Sequence, residues 1–144
     1  MPNSSLAAFL AENAIKVENI KFIASKRFID SKGNPIEWEI SCISSAEDER
    51  IRKDCTKRVP LSNKRGAFNL ETDYNLYLGK LAARCTVYPD LNDVTLQNSY
   101  GVMGADTLLK KMLTAGEYAE YLIKIQEING FDVTLDEKVA EAKN

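Results

Sequence analysis

The sequence contains no histidine. That removes the usual general base and the commonest zinc ligand, so Ser/His/Asp catalysis, Cys/His catalysis and the HExxH metal site are excluded. Cysteine is scarce. Cys42, Cys55 and Cys85 stand too far apart in sequence to form a CxxC pair, and an odd, patternless set suits a reducing compartment with each thiol used as a small apolar residue. No run approaches the roughly 20 apolar residues of a membrane span. Met1–Leu10 also lacks the basic start of a signal peptide, so a cytoplasmic protein without membrane association is expected. An excess of charge is missing too. The net charge is −2 over 144 residues, which argues against a general nucleic-acid binder, because neutralising phosphates needs a clear surplus of Lys and Arg.

What is present is the balance of a soluble globular chain, 44% hydrophobic and 28% charged, long enough to bury a core without metal or disulfide staples. The patterning predicts an α+β fold: an N-terminal helix and a β-hairpin packed on a mostly helical remainder. One domain is expected over residues 1–144, with a hairpin-containing part at 1–45 and a helical part at 46–144. Ser4–Ala14 reads as a short helix with Leu6, Phe9 and Leu10 at 3–4 spacing. Lys21–Ile29 and Pro35–Ile43 read as two strands around the turn Asp30–Asn34. In the second strand Ile36, Trp38, Ile40 and Cys42 alternate with Glu37, Glu39 and Ser41.

Beyond the hairpin the period becomes helical. Ser44 and Glu47 suit a capping box for a polar helix over Ala46–Arg58, with Ile51, Cys55 and Val59 as its narrow apolar stripe. Pro60–Asn69 reads as a loop. Glu71–Val87 reads as the main core helix, with Leu70, Tyr74, Tyr77, Leu78, Leu81, Ala82 and Cys85 on one face. Asp93 caps a helix reaching about Tyr100, and Gly101 and Gly104 bracket a turn. Ala105–Leu113 and Ala115–Ile128 follow, the latter started by a Thr114/Glu117 box and stopped near Gly130. Thr134 and Glu137 repeat the box for a last helix.

Few residues assemble chemistry. Gly101–Asp106 fits neither GxxxxGK[ST] nor GxGxxG and reads as a plain turn. Glu37 and Glu39 share a strand face that reads as solvated. Tyr74, Tyr77, Tyr118 and Tyr121 lie on helical stripes and read as core and rim. No catalytic residue, metal or cofactor is expected. The stretch Arg50–Arg65 is strongly basic, with Arg50, Arg52, Lys53, Lys57, Arg58, Lys64 and Arg65 opposed only by Asp54. Arg50, Lys53 and Lys57 would share one face of the predicted helix. No aromatic residue interleaves them there, so base stacking is not indicated. Thr114–Asn144 is acidic instead, and opposite charge at the two ends permits head-to-tail self-association or steering of a partner.

A resemblance carries the reading further. Phe9–Ala14, Ser25–Phe28 with Gly33, Pro35 and Trp38, Tyr88–Leu91, Ser99–Gly101, Leu108–Lys110, Leu113–Tyr118, Asn129–Phe131 and the closing Ala142–Asn144 occur in an order spanning nearly the whole chain. Together they resemble the tail assembly chaperones of contractile-tailed bacteriophages and prophages of Gram-positive bacteria, the XkdN-like family. The resemblance implies a non-enzymatic role in the host cytoplasm. The partner would be the long helical tape measure protein, with the tail tube protein as a second candidate, and the chaperone would be absent from the finished virion. It also implies a longer second form made by a −1 frameshift, for which Ala142-Lys143-Asn144 can be encoded by the slippery A-AAA-AAC.

Holding a helical client with apolar stripes needs an accessible apolar surface rimmed by charge. The candidate partner-binding residues are Tyr118, Leu122, Ile125, Ile128 and Phe131, with Arg50, Lys53 and Lys57 as the basic set. The opposing reading of the first five is that they build the core. Alternative functions are a small virion structural or connector protein and a basic-patch nucleic-acid-binding regulator.

Overall fold

Trp38 and Ile40 flank Glu39 on a strand, so both indole and isoleucine project to one side, and the fold is built on that side. The computed structural model describes residues 4–131. Helix α1 is Ser4–Ala7. Strands β1 (Ile20–Phe22) and β2 (Trp38–Ile40) follow, then α2 (Ser45–Asp54), β3 (Thr56–Pro60), β4 (Phe68–Thr72), α3 (Tyr74–Cys85), β5 (Thr86–Tyr88), α4 (Val94–Ser99), α5 (Ala105–Met112) and α6 (Ala115–Ile128).

The strands form two sheets. One has the order β1-β2-β5 and the other is the pair β3-β4. In the first, β1 and β2 run antiparallel with Ile20 opposite Ile40 and Phe22 opposite Trp38, and β5 pairs antiparallel with the other side of β2. The core joins Trp38 and Ile40 to Tyr77, Leu81 and Cys85 of α3, Leu108 and Leu109 of α5, and Tyr121 and Ile125 of α6. Trp38 meets Tyr121 edge-on with ring centroids 5.4 Å apart and lies 6.1 Å from Phe28. The Tyr121 hydroxyl lies 2.6 Å from the Thr86 hydroxyl, tying α6 to the start of β5.

Helix starts follow local chemistry. The side chains of Asp73, Asp93 and Thr114 each accept the N–H three residues on, opening α3, α4 and α6. Thr114 and Glu117 form the reciprocal box expected. Ser44 caps α2 in the same way, but its box is not reciprocal, because the Glu47 carboxylate pairs with Arg84 instead.

The α+β class stands, and the layout differs from expectation in five places. The helix expected over Ser4–Ala14 is one turn long, continued by separate turns such as Leu10 accepting from Asn13 and Ala14. Leu6, Phe9 and Leu10 are exposed, and short helices without a partner are marginal. The two hairpin strands contract to three residues each, and only a single bridge, Ile29 with Pro35, extends the pairing toward the turn. The helix expected to reach Arg58 stops at Asp54, and Thr56 continues into β3, so Lys57 lies on a strand and shares no helical face with Arg50 and Lys53. Pro60–Asn69, read as a loop, contains the start of β4. The helix expected to reach Val87 ends at Cys85, where Thr86–Tyr88 is captured by β2, while Leu70 and Tyr74 are exposed rather than core. Among its described residues, the part at 46–144 therefore carries three further strands. The helix expected from Thr134 and the Ala142–Asn144 ending lie outside the described residues.

Candidate partner-binding surfaces

The β3–β4 ribbon is largely exposed. It is tied at its base, where the Thr56 and Thr72 hydroxyls lie 2.9 Å apart and the Asp73 N–H donates to the Cys55 carbonyl. Beyond that base neither strand pairs with a further strand among the described residues, and most of their residues face water. The register places Arg58 opposite Leu70 and Pro60 opposite Phe68. Directly opposed residues share a sheet face, so Phe68, Leu70, Pro60 and Arg58 form one strip. Phe68 is 44% and Leu70 68% exposed. The Arg58 guanidinium lies 4.4 Å from the Phe68 ring centroid, a cation–π contact that fixes the ring and leaves a charge beside it. Lys57, on the other face, stands opposite Glu71, and Lys64 and Arg65 sit in the connecting turn. Arg50 and Lys53 are exposed on α2, the helix that leads into the ribbon. The sequence pointed to this basic stretch through its composition but placed Arg50–Arg58 on a helix, with Lys64 and Arg65 in a loop. Phe68 and Leu70, the apolar half of the surface, were missed. Their alternation over Phe68–Thr72 was the available signal.

The α6 set is divided by the fold. Ile125 is 1% exposed and belongs to the core. Tyr118, Leu122 and Ile128 are half-buried against it. A Cβ added at Gly79 of α3 would lie about 3.0 Å from the Tyr118 hydroxyl, so a side chain at Gly79 would crowd that hydroxyl. That hydroxyl has no hydrogen-bond partner among the described residues, and burial raises its pKa. Phe131 is 36% exposed and lines a small crevice with Ile43, Ser44 and Asn129. Asn129 clamps the end of α6: its carbonyl accepts from the Ile43 N–H, and its amide donates to the Ile125 carbonyl and toward the Cys85 sulfur. Of the five α6-side candidates, only Phe131 offers much free apolar surface.

Two further apolar features lie near the three-stranded sheet. Before β1, the segment Ser4–Asn19 carries Leu6, Phe9, Leu10, Ile15 and Val17, all exposed. Beside β5 is a crevice of about 120 Å³ lined by Phe28, Ile36, Trp38, Tyr88, Pro89, Leu96 and Met112. One polar hub, distant in sequence, holds the crevice's Phe28 loop in place. The Glu117 carboxylate accepts from the Thr114 N–H at 2.9 Å and from the Ser25 hydroxyl at 2.7 Å, and pairs with Arg27 at 3.2 Å. The Thr114 backbone bond, then Ser25 and Arg27, hold its pKa down at about 2.

Cys55 and Cys85 are buried, and their thiol pKa values are raised chiefly by that burial. The Tyr77 hydroxyl donates to Asp48, and its pKa is raised by burial and by that carboxylate. No cluster of three or more metal-binding side chains occurs among the described residues, and no described helix is long and apolar enough to cross a membrane.

Comparison with known proteins agrees with this arrangement. The crystal structure of the protein YqbN superposes with a TM-score of 0.74 at 28% identity, covering 88% of this chain and 96% of that one. In sequence, the uncharacterized protein YqbN of Bacillus subtilis (strain 168) is 31% identical over 140 residues, covering 96% of this chain and 93% of its own. The phage-like element PBSX protein XkdN of the same organism is 33% identical over 141 residues, with the same coverage. Residues 6–143 match the family described as phage XkdN-like tail assembly chaperone protein. With both the sequence and the fold matched over nearly its full length, the chain belongs to the XkdN-like family of phage tail assembly chaperones.

Proposed function

We propose that this chain binds the tape measure protein during tail morphogenesis and keeps it soluble in the host cytoplasm, catalysing no reaction. The observation that carries the reading is the strip on the β3–β4 ribbon, where Phe68 and Leu70 are exposed beside Arg58 and close to Lys64 and Arg65. A long helical client offers apolar stripes edged by charge. A narrow apolar strip set among cations fits such a stripe where acidic residues flank it. The strand edges that pair with no further strand among the described residues add backbone groups to the same surface. Nucleic acid fits less well, because Arg58 already covers a face of Phe68 and an exposed ring face is what base stacking requires.

The test is co-expression with the tape measure protein of the same phage or prophage, followed by affinity capture and titration. The full chain is expected to retain the client. The double substitution F68D/L70D should weaken binding at least about tenfold, since each lost apolar contact is worth roughly 1.5–3 kcal/mol when fully buried. Failure to retain the client overturns the assignment of the partner. Retention that F68D/L70D leaves unchanged overturns the assignment of the ribbon.

A further inference from the structure

We propose that one face of the β3–β4 ribbon selects a particular kind of helix. This is an amphipathic helix lying along the strands, its apolar residues against Leu70 and Phe68 and a carboxylate at the edge of its stripe paired with Arg58. The proposal rests on the reading that the ribbon holds a helical client, and it makes Arg58 the residue that chooses among helices. The register separates the two faces of the ribbon. Arg58 and Pro60 stand opposite Leu70 and Phe68 on one face, and Lys57 and Val59 stand opposite Glu71 and Asn69 on the other. Glu71 is the sole carboxylate in the two strands, and it lies on the second face. The first face therefore sets its apolar side chains beside one cation and no acid.

The cation on that face is available to an acid from outside. Arg58 stacks on Phe68, its guanidinium carbon 4.4 Å from the ring centroid. Stacking uses the flat face of the guanidinium and leaves the N–H donors, which lie in its plane, for an acceptor. A carboxylate matches that fork. Among the described residues, no ion pair includes Arg58, nor Lys64 and Arg65 in the turn beyond Phe68, and all three are exposed. An acidic edge on the occupant neutralises these charges, whereas a basic edge meets like charge.

The spacing suits a helix laid along the ribbon. Phe68 and Leu70, two residues apart on one strand, project about 6.8 Å apart. Residues i and i+4 of a helix are about 6 Å apart along its axis, so two successive members of one apolar stripe rest on Leu70 and Phe68 together. A helix crossing the ribbon would bring only one of them onto the strip. The edge of the lengthwise stripe passes Arg58, which stands opposite Leu70, and reaches toward Lys64 and Arg65 at the turn. Selection lies in that edge, because Phe68 and Leu70 accept any apolar side chain.

The probes are two synthetic helical peptides of roughly 20 residues, identical in composition and net charge. Both carry the same leucine stripe. One has Glu at the edges of the stripe and Lys on the far face, and the other has the two reversed. Binding to the full chain is measured by fluorescence anisotropy at about 50 mM salt, where screening is weak, with folding of each variant checked by circular dichroism. The wild type is expected to bind the Glu-edged peptide about fivefold more tightly. Arg58→Gln should cut that preference by more than half, and Arg58→Glu should abolish it. Asn69→Glu lowers the net charge by as much as Arg58→Gln, but on the other face, and should leave the preference intact. Equal affinity for the two peptides, binding of neither, a preference that Arg58→Glu leaves unchanged, or one that Asn69→Glu removes overturns the proposal. So does equal binding of a Glu-edged peptide broken by a central proline, which cannot form the continuous helix. A wild type that self-associates, and loses that association with F68D/L70D, assigns the face to a second copy and overturns it as well. Capture of the client is scored separately. A client retained through Phe68 and Leu70 without any preference between the peptides overturns selection by Arg58 and leaves the proposed function standing.

Discussion

Replacing Trp38 by Ala tests the centre of the fold. The indole is 1% exposed, sits on the middle strand of the three-stranded sheet and touches both Phe28 and Tyr121. Truncating a core aromatic costs about 3–5 kcal/mol. That cost includes the edge-on contact with Tyr121, worth roughly 0.5–1.5 kcal/mol. Collapse of the neighbours offers little relief, because Trp38 already borders the 120 Å³ crevice, and the enlarged space opens to water. The loss should therefore lie in the upper part of the range, about 4–5 kcal/mol. For a domain of this size that lowers the melting temperature by roughly 10–15 °C. Trp38 is the chain's sole tryptophan, so unfolding is followed by far-UV circular dichroism in urea and by calorimetry, not by fluorescence. Trp38→Phe, which keeps an aromatic ring in the site, should lose less than half as much. A loss below about 1 kcal/mol for Trp38→Ala, with an unchanged denaturant slope, would refute the burial argument.

Glu117→Gln tests the hub between α6 and the Phe28 loop. Its carboxyl is held down at about 2 in the folded chain, against an ordinary 4.5, so its stabilisation is complete above about pH 5 and fades as pH falls toward 2. The stability difference between wild type and Glu117→Gln should shrink over that interval in acid titrations, and a constant difference would contradict the assignment. Tyr118→Phe removes a buried hydroxyl that lacks a partner among the described residues, so it should be neutral or mildly stabilising in thermal melts; a loss of about 1 kcal/mol or more would show that the hydroxyl is satisfied. Joint replacement of Cys42, Cys55 and Cys85 by Ala should lower stability without abolishing client binding. In the native wild type, Cys42, which is half-buried, should react with a thiol reagent before buried Cys55 and Cys85; rapid modification of Cys85 would contradict its packing.

The helical half was legible because its signals are local. Ala115–Ile128 was bounded correctly from the Thr114/Glu117 box and Gly130, and the structure shows that box formed and Gly130 with φ of 82°. Caps act over three or four residues and need no tertiary partner. Trp38 and Ile40 were legible as core because alternation on a strand is also local. The strands outside the hairpin were not. Thr86–Tyr88 continues the stripe of α3 in sequence and turns extended because β2 offers it a free edge. Thr56–Pro60 has no apolar alternation, and its pairing with Phe68–Thr72 supplies what the pattern lacks.

The candidate surface divided in the same way. Composition alone located the charge of Arg50–Arg65 and the apolar content of α6. The resemblance spread along the chain pointed to the family, and the fold and sequence comparisons agree. Which apolar side chains remain free was decided only in three dimensions. A helical stripe is written identically whether it packs on a core or on a partner, and the contacts of α6 with α3 and the sheet are what bury Ile125 while Phe68, Leu70 and Phe9 stay in water. Sequence fixes where a chain is amphipathic; burial depends on which faces meet, and distant segments settle that together.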